Sequence, residues 1–250
     1  MGAPNPALLL RHQAASFPDK TALIYPTGKK DSAGKLIYAR KSYREIEQAS
    51  DRAAYALIQA GFSQGDKTIF MVKPGPELFI QLFALFKIGA IPVVVDPGMG
   101  IRRMLHCYRT VGAETFIGVP LATLIRLVAP RTFSSIRSSV TVLRGTIVGE
   151  DKKLKDVSLQ DPFPISDRQA SDIALINFTT GSTGPAKGVE CSYGMVQSTL
   201  ALIQVHYGFV QDDVQLLTAP FFGLLGMMMG NTCVLPRMNP TKPAKICLCG

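Results

Sequence analysis

Histidine and cysteine are scarce in this chain, and what they fail to form removes several chemistries at once. The three histidines, His12, His106 and His206, are dispersed, with no pair at the helical spacing a metal centre uses. The five cysteines, Cys107, Cys191, Cys233, Cys247 and Cys249, are odd in number and contain no C-x-x-C pair. That pattern argues against a disulfide framework or a structural zinc site and points to a reducing, cytoplasmic setting. Cys247-Leu248-Cys249 is too short and isolated to mark a metal site. The Gly-x-Ser-x-Gly elbow of hydrolases is missing too, since Gly181-Ser182-Thr183-Gly184 does not match it. Near the start, Leu8-Leu9-Leu10 runs straight into Arg11 and His12, so the basic-then-apolar order of a secretory signal is not met.

Charge is unbalanced but not organised for nucleic acid. There are 27 Lys and Arg against 18 Asp and Glu, a formal net charge of +9. The densest basic groups are Arg102-Arg103 and Lys152-Lys153-Leu154-Lys155, the latter flanked by Asp151 and Asp156. No aromatic residues interleave with a basic stripe, so a nucleic-acid partner is not expected. These groups read as solvated faces, with a positive field that suits an anionic ligand. A chain of 250 residues that is 47% apolar can bury a large core. Residues 214–236 carry no charge and are long enough to cross a bilayer. Pro220, Gly223, Gly226 and Gly230 interrupt them, so a strand, a glycine-rich turn and a second strand are expected there in place of a membrane helix.

The remaining pattern alternates strands with helices. Ser42-x-x-Glu45 reads as a capping box, and apolar residues then recur at Ile46, Ala49, Ala53, Ala54, Leu57 and Ile58 before Gly61. A helix over 43–60 follows. The same reasoning places a strand at 68–72, a helix at 77–88 closed by Gly89, and a continuous apolar strand at 91–95. A helix at 101–110, a strand at 115–117 and a helix at 121–127 repeat the rhythm. Glu150 to Arg168, with five acidic and four basic residues plus Pro162 and Pro164, reads as a surface connection. A strand at 173–178 and a helix at 192–206 complete the series. This alternation predicts an α/β fold with largely parallel sheets flanked by helices, in a first segment 1–160 and a second segment 161–250.

Chemistry concentrates in Phe178-Thr179-Thr180-Gly181-Ser182-Thr183-Gly184-Pro185-Ala186-Lys187-Gly188-Val189. Three glycines, four hydroxyls and a lysine sit between the strand and the helix expected on either side. Glycines let backbone N–H groups approach phosphate oxygens, hydroxyls donate further hydrogen bonds, and lysine neutralises charge. The Gly-x-x-x-x-Gly-Lys-Ser/Thr spacing of ordinary NTPases is not met, and no Ser or Thr follows Lys187 to hold magnesium. A plain Gly/Ser/Thr turn is the alternative.

These twelve residues resemble the signature loop of the adenylate-forming superfamily, which includes acyl-CoA synthetases, luciferases and peptide-synthetase adenylation domains. Ten of twelve positions fit; Thr180 stands where serine is usual, and Pro185-Ala186 moves the proline back by one. Ser42-Tyr43-Arg44-Glu45-Ile46, Gly65-Asp66, Phe86 to Val93 with Asp96-Pro97, and Thr218-Ala219-Pro220-Phe221-Phe222 are similar to further pieces of that superfamily in the same order. Val95 to Gly100 and Pro236 to Pro243 look most like its β-lactone synthetase branch from bacterial olefin biosynthesis, with fatty acyl-CoA ligases as the rival.

The resemblance implies attack of a carboxylate on the α-phosphate of Mg2+-bound ATP, giving acyl-AMP and pyrophosphate. The acid would be long-chain, β-hydroxylated in the first branch, with CoA as acceptor in the rival. By the motif match, Thr179, Thr180, Ser182, Thr183 and the amides of Gly181 and Gly184 would bind the β- and γ-phosphates. Lys187 would be their charge partner, and Lys187 and Thr183 the residues that carry catalysis. Phe221 and Phe222 would line the acyl pocket, unless they serve only as core. The superfamily's later motifs and its mobile C-terminal domain with a catalytic lysine have no counterpart here. The chain therefore reads as the N-terminal portion of a longer enzyme, inactive alone, or as a truncated nucleotide-binding remnant.

Overall fold

The structure, a computed structural model, describes residues 5–143, 146–149, 161–179 and 186–237. Asn5 caps the first helix, α1 (Pro6–Ser16), by accepting from the Ala7 amide. An antiparallel hairpin follows, β1 (Thr21–Lys30) and β2 (Leu36–Ser42). These three elements precede the first one that the sequence pattern reveals. In β1 only Ala22 and Leu23 are buried, so its apolar alternation is too short to stand out.

The capping box at the start of α2 (Tyr43–Gln59) is present in full. The Glu45 amide donates to Ser42 Oγ at 3.2 Å, and the Ser42 amide donates to Glu45 Oε2 at 2.7 Å. Next come β3 (Lys67–Met71), α3 (Pro76–Ile88), β4 (Ile91–Val95), a 3-10 turn (Pro97–Met99), α4 (Ile101–Val111), β5 (Thr115–Gly118) and α5 (Pro120–Val128). A second 3-10 turn (Pro130–Thr132) leads to β6 (Ser138–Leu143) and β7 (Thr146–Gly149). The chain continues with β8 (Ile173–Thr179), β9 (Lys187–Ser192), α6 (Tyr193–Tyr207), β10 (Val214–Leu216), α7 (Phe222–Met229) and β11 (Thr232–Val234).

Eleven strands form two sheets among the described residues. The larger has the order β7-β6-β5-β3-β4-β8-β9, and the smaller β10-β11-β1-β2. In the larger sheet β6, β5, β3, β4 and β8 are parallel, while β7 and β9 join antiparallel at the two edges. Strands from both sides of residue 160 meet in each sheet, since β8 pairs with β4 and β11 pairs with β1. The fold is thus mixed α/β with mostly parallel sheets flanked by helices.

Helix α3 sits at the centre. Every residue from Leu78 to Ile88 is buried, as expected of a helix apolar on all sides. Phe79, Phe83 and Phe86 are each at most 1% exposed, and each such ring contributes roughly 1.5–3 kcal/mol by leaving water. The exception in kind is Lys87, fully buried at the end of that helix. Its Nζ lies 2.6 Å from Asp51 Oδ1 and 3.0 Å from Glu47 Oε1, both on α2. Arg11 of α1 reaches Glu47 at 2.7 Å and Asp51 at 3.1 Å and donates to the Phe163 carbonyl. Burial lowers the Lys87 pKa, and the two carboxylates oppose that shift. Four charges thereby tie α1, α2, α3 and the segment after residue 160 together.

The outer face of the larger sheet carries a second core, built by Met104, Cys107 and Tyr108 of α4 and Ala122 of α5 against Val93, Phe116 and Phe178. Each helix expected from the pattern is found within two residues of its predicted bounds. The expected turn in residues 214–236 is corrected: between β10 and β11 the chain forms the helix α7. Its glycines weigh against a helix in the sequence, but they are required by packing. A Cβ on Gly223 would lie 2.7 Å from the Phe79 ring, and one on Gly226 would lie 2.7 Å from Cys233 Sγ. Among the described residues no helix is long and apolar enough to cross a membrane.

Candidate functional site

The hydroxyl-rich motif closes a β-hairpin. β8 lies one strand in from the edge of the larger sheet, between β4 and β9, and β9 returns beside it as the edge strand, with Thr179 paired to Lys187 at the loop end. A helix directly after the loop was expected from the sequence; β9 stands between them. Its first four residues are exposed, so no apolar face announced it. The phosphate-loop residues Thr180, Gly181, Ser182, Thr183 and Gly184 lie outside the described residues, and with them the Thr183 assignment. Thr179 and Lys187 bracket them, and Lys187 is exposed at the mouth. The surface connection expected over 150–168 is described only from Asp161, and residues 238–250 are likewise outside.

Two members of the motif are explained by packing. Phe178 is buried and pairs with Gly188, where an added Cβ would come within 2.9 Å of the ring. Gly188 lets the edge strand lie flat over that ring. At the foot of the hairpin, the Ser192 side chain accepts from the Met195 amide and starts α6.

One side of the same ladder lines an apolar cavity of about 480 Å³. Leu175 and Asn177 come from β8, Cys191 from β9, Met195 and Thr199 from α6, and Phe221, Phe222 and Leu225 from the start of α7. The expected pocket residues Phe221 and Phe222 are thus brought to one cavity, 36% and 59% exposed. Leu175 and Cys191 are register partners, and Thr179 lies four residues up the same strand. At ~3.3 Å per residue the cavity and the hairpin mouth are roughly 13 Å apart. Asn177 and Cys191 carried no signal in the sequence, because only strand register turns them to this side. Burial raises the Cys191 thiol above its ordinary pKa. Behind the cavity, burial pushes Tyr193 up to about 12, while Arg168, 5.7 Å over its ring, opposes the shift.

A second cavity, about 590 Å³, lies outside the carboxyl ends of β3 and β4. There α3 leaves toward one face of the sheet and α4 toward the other, the crevice that open α/β sheets use for ligands. Among the described residues no three His, Cys, Asp or Glu side chains gather to hold a metal.

The profile of the AMP-binding enzyme family matches residues 10–246, nearly the whole chain. This chain belongs to the AMP-binding enzyme family. Among relatives, the olefin beta-lactone synthetase of Stenotrophomonas maltophilia (strain K279a) is 36% identical over 247 residues, covering 96% of this chain and 44% of that protein. The olefin beta-lactone synthetase of Xanthomonas campestris pv. campestris is 35% identical, with 96% and 43% covered. The chain therefore spans less than half the length of these relatives and corresponds to their N-terminal portion. Solved structures agree in architecture. A long-chain-fatty-acid-CoA ligase of Archaeoglobus fulgidus superposes with a TM-score of 0.75 at 20% identity, over 93% of this chain and 46% of that one. The N-terminal domain of FACL13 from Mycobacterium tuberculosis gives 0.77 at 19% identity, over 97% and 59%. At such identities the likeness is one of fold.

Proposed function

We propose that this AMP-binding chain is the N-terminal part of an enzyme that activates a long-chain carboxylic acid as its acyl adenylate. The observation that carries this reading is the alignment of an apolar cavity with a cationic hairpin mouth along one strand pair. An acyl chain in the cavity beside Phe221 and Phe222 would extend along β8, with its carboxylate directed to the end where Thr179 and Lys187 face each other. ATP would supply the electrophilic α-phosphorus and take away pyrophosphate as leaving group, with Mg2+ held on its phosphate oxygens.

The chain's own part is electrostatic. Charge builds on phosphoryl oxygens during transfer, and a fixed ammonium with loop hydroxyls and amides counters it without reorganisation. Lys187 is exposed at that end, where a triphosphate would meet it. Thr180, Ser182 and Thr183 would add hydroxyl donors, and Gly181 and Gly184 amides. The relatives' identity favours closure of a β-hydroxy acyl adenylate to a β-lactone as the onward step. Thioester formation with CoA is the competing outcome.

The test is acid-dependent ATP–pyrophosphate exchange with long-chain β-hydroxy acids, in a form of the protein extended to its relatives' length. Exchange that needs the acid, followed by a lactone product in mass spectrometry, is expected. A thioester formed only when CoA is added would replace the lactone step, and absence of exchange with any long-chain acid would remove the proposal. The 250-residue chain alone is expected to give no exchange.

A further inference from the structure

The Arg102-Arg103 pair belongs to a larger surface that acid activation does not use. Residues 97–149 contain seven arginines and a single acidic residue, Glu114. That carboxylate is engaged elsewhere, accepting the Lys67 amide at 2.8 Å. α4 and α5 lie on the same outer face of the larger sheet, and the Pro130–Thr132 turn touches both. Met104, Cys107, Tyr108 and Ala122 point inward. Arg102, Arg103, Arg109 and Arg131 are exposed.

Beside them α5 turns aliphatic side chains outward. Leu121 is 59% exposed, Leu124 54%, Leu127 65% and Val128 74%. Four exposed aliphatic residues on a nine-residue helix form a contiguous apolar strip, which isolated soluble surfaces seldom keep. Charge favours a bilayer over a protein partner here: arginine outnumbers acid on this face, with Asp96 and Glu190 of β9 at its borders, and that excess complements phosphate headgroups.

We propose that the α4–α5 face is a peripheral docking surface for a bilayer containing anionic phospholipids. The leucines and Val128 enter the headgroup–acyl boundary, and the arginines pair with lipid phosphates. This is surface attachment by two helices of a folded domain and involves no spanning segment. The inference does not depend on the acid-activation reading.

Co-sedimentation of the chain with vesicles of phosphatidylcholine, alone or mixed with phosphatidylglycerol, tests it. Binding to the mixed vesicles, and its weakening as NaCl is raised, are expected. Arg102→Glu/Arg103→Glu and Leu124→Ser/Leu127→Ser should each lower that binding by about tenfold or more. Lys29→Glu/Lys30→Glu on the β1–β2 hairpin makes the same change in total charge and should alter binding by less than about twofold. All substituted positions are exposed, and circular dichroism melting confirms that the variants fold. Equal loss in the two charge-reversed variants would reduce the effect to overall charge and overturn the proposal. Failure to bind either vesicle would also overturn it. So would light scattering that shows wild-type self-association abolished by Leu124→Ser/Leu127→Ser, because the strip would then be a protein interface.

Discussion

Gly188 stands directly across from Phe178 in the β8–β9 ladder, and a methyl group placed on it would come within 2.9 Å of the aromatic ring. The glycine nearest the lysine in the motif therefore sets how closely the edge strand approaches its neighbour. It fixes where Lys187, one residue earlier, is held against Thr179. Gly188→Ala should displace the hairpin mouth while costing little stability, since β9 is an exposed edge. In a full-length form, acid-dependent pyrophosphate exchange is expected to fall by about tenfold or more through misplacement of the charge, with an unchanged melting midpoint.

Lys187 itself is expected to act through charge. Lys187→Ala in the same form should lower exchange by about 100-fold, the scale of removing one preorganised donor. Lys187→Arg should recover part of it. Because the side chain is exposed, urea unfolding of the variants should match wild type within about 0.5 kcal/mol. Full activity in Lys187→Ala would separate the motif from phosphate binding.

The buried charge cluster predicts the opposite signature. Lys87→Met removes the cation on which Asp51 and Glu47 converge and leaves two carboxylates with Arg11 alone. A loss of about 3–5 kcal/mol in urea unfolding is expected. Adding Asp51→Asn and Glu47→Gln should restore part of it. Additive losses in the triple variant would show that these groups do not form one network.

Cysteine reactivity reports on the apolar cavity. Cys107 and Cys233 are buried, and burial pushes Cys233 up to about 12, so neither should react in the folded protein. Cys191 is half-buried at the cavity wall, with its pKa raised above the ordinary 9.0. A raised thiol pKa means less thiolate at neutral pH. In a Cys247→Ser/Cys249→Ser background, the alkylation rate should climb about tenfold per pH unit and still be rising at pH 9. A long-chain acid should slow that labelling. Rates unaffected by acid would place the acyl chain elsewhere.

In α7, Gly226→Ala should be destabilising by about 1–3 kcal/mol, since its methyl would meet Cys233 Sγ at 2.7 Å. An exposed helical glycine would instead gain about 1 kcal/mol from the same change. The sign in a thermal melt distinguishes close packing from intrinsic propensity.

Much of this was legible from the chain alone. The capping box of α2, the apolar run of β4 and the all-round apolar α3 follow from periodicity, because one buried face or a fully buried element writes itself into local spacing. The motif from Phe178 to Val189 likewise announced its family, since a loop that meets phosphate needs particular residues at particular steps. Tertiary structure decided what depends on residues far apart. It made β9 an edge strand with no apolar face, and it let Phe79 and Cys233 demand glycines in a helix. It buried Lys87 because Asp51 and Glu47 arrive from another helix, and register turned Asn177 and Cys191 toward one cavity. Those outcomes rest on contacts between residues far apart in sequence, as between Gly223 and Phe79 or between Lys87 and Asp51, 36 positions apart, and no local pattern encodes a neighbour that distant.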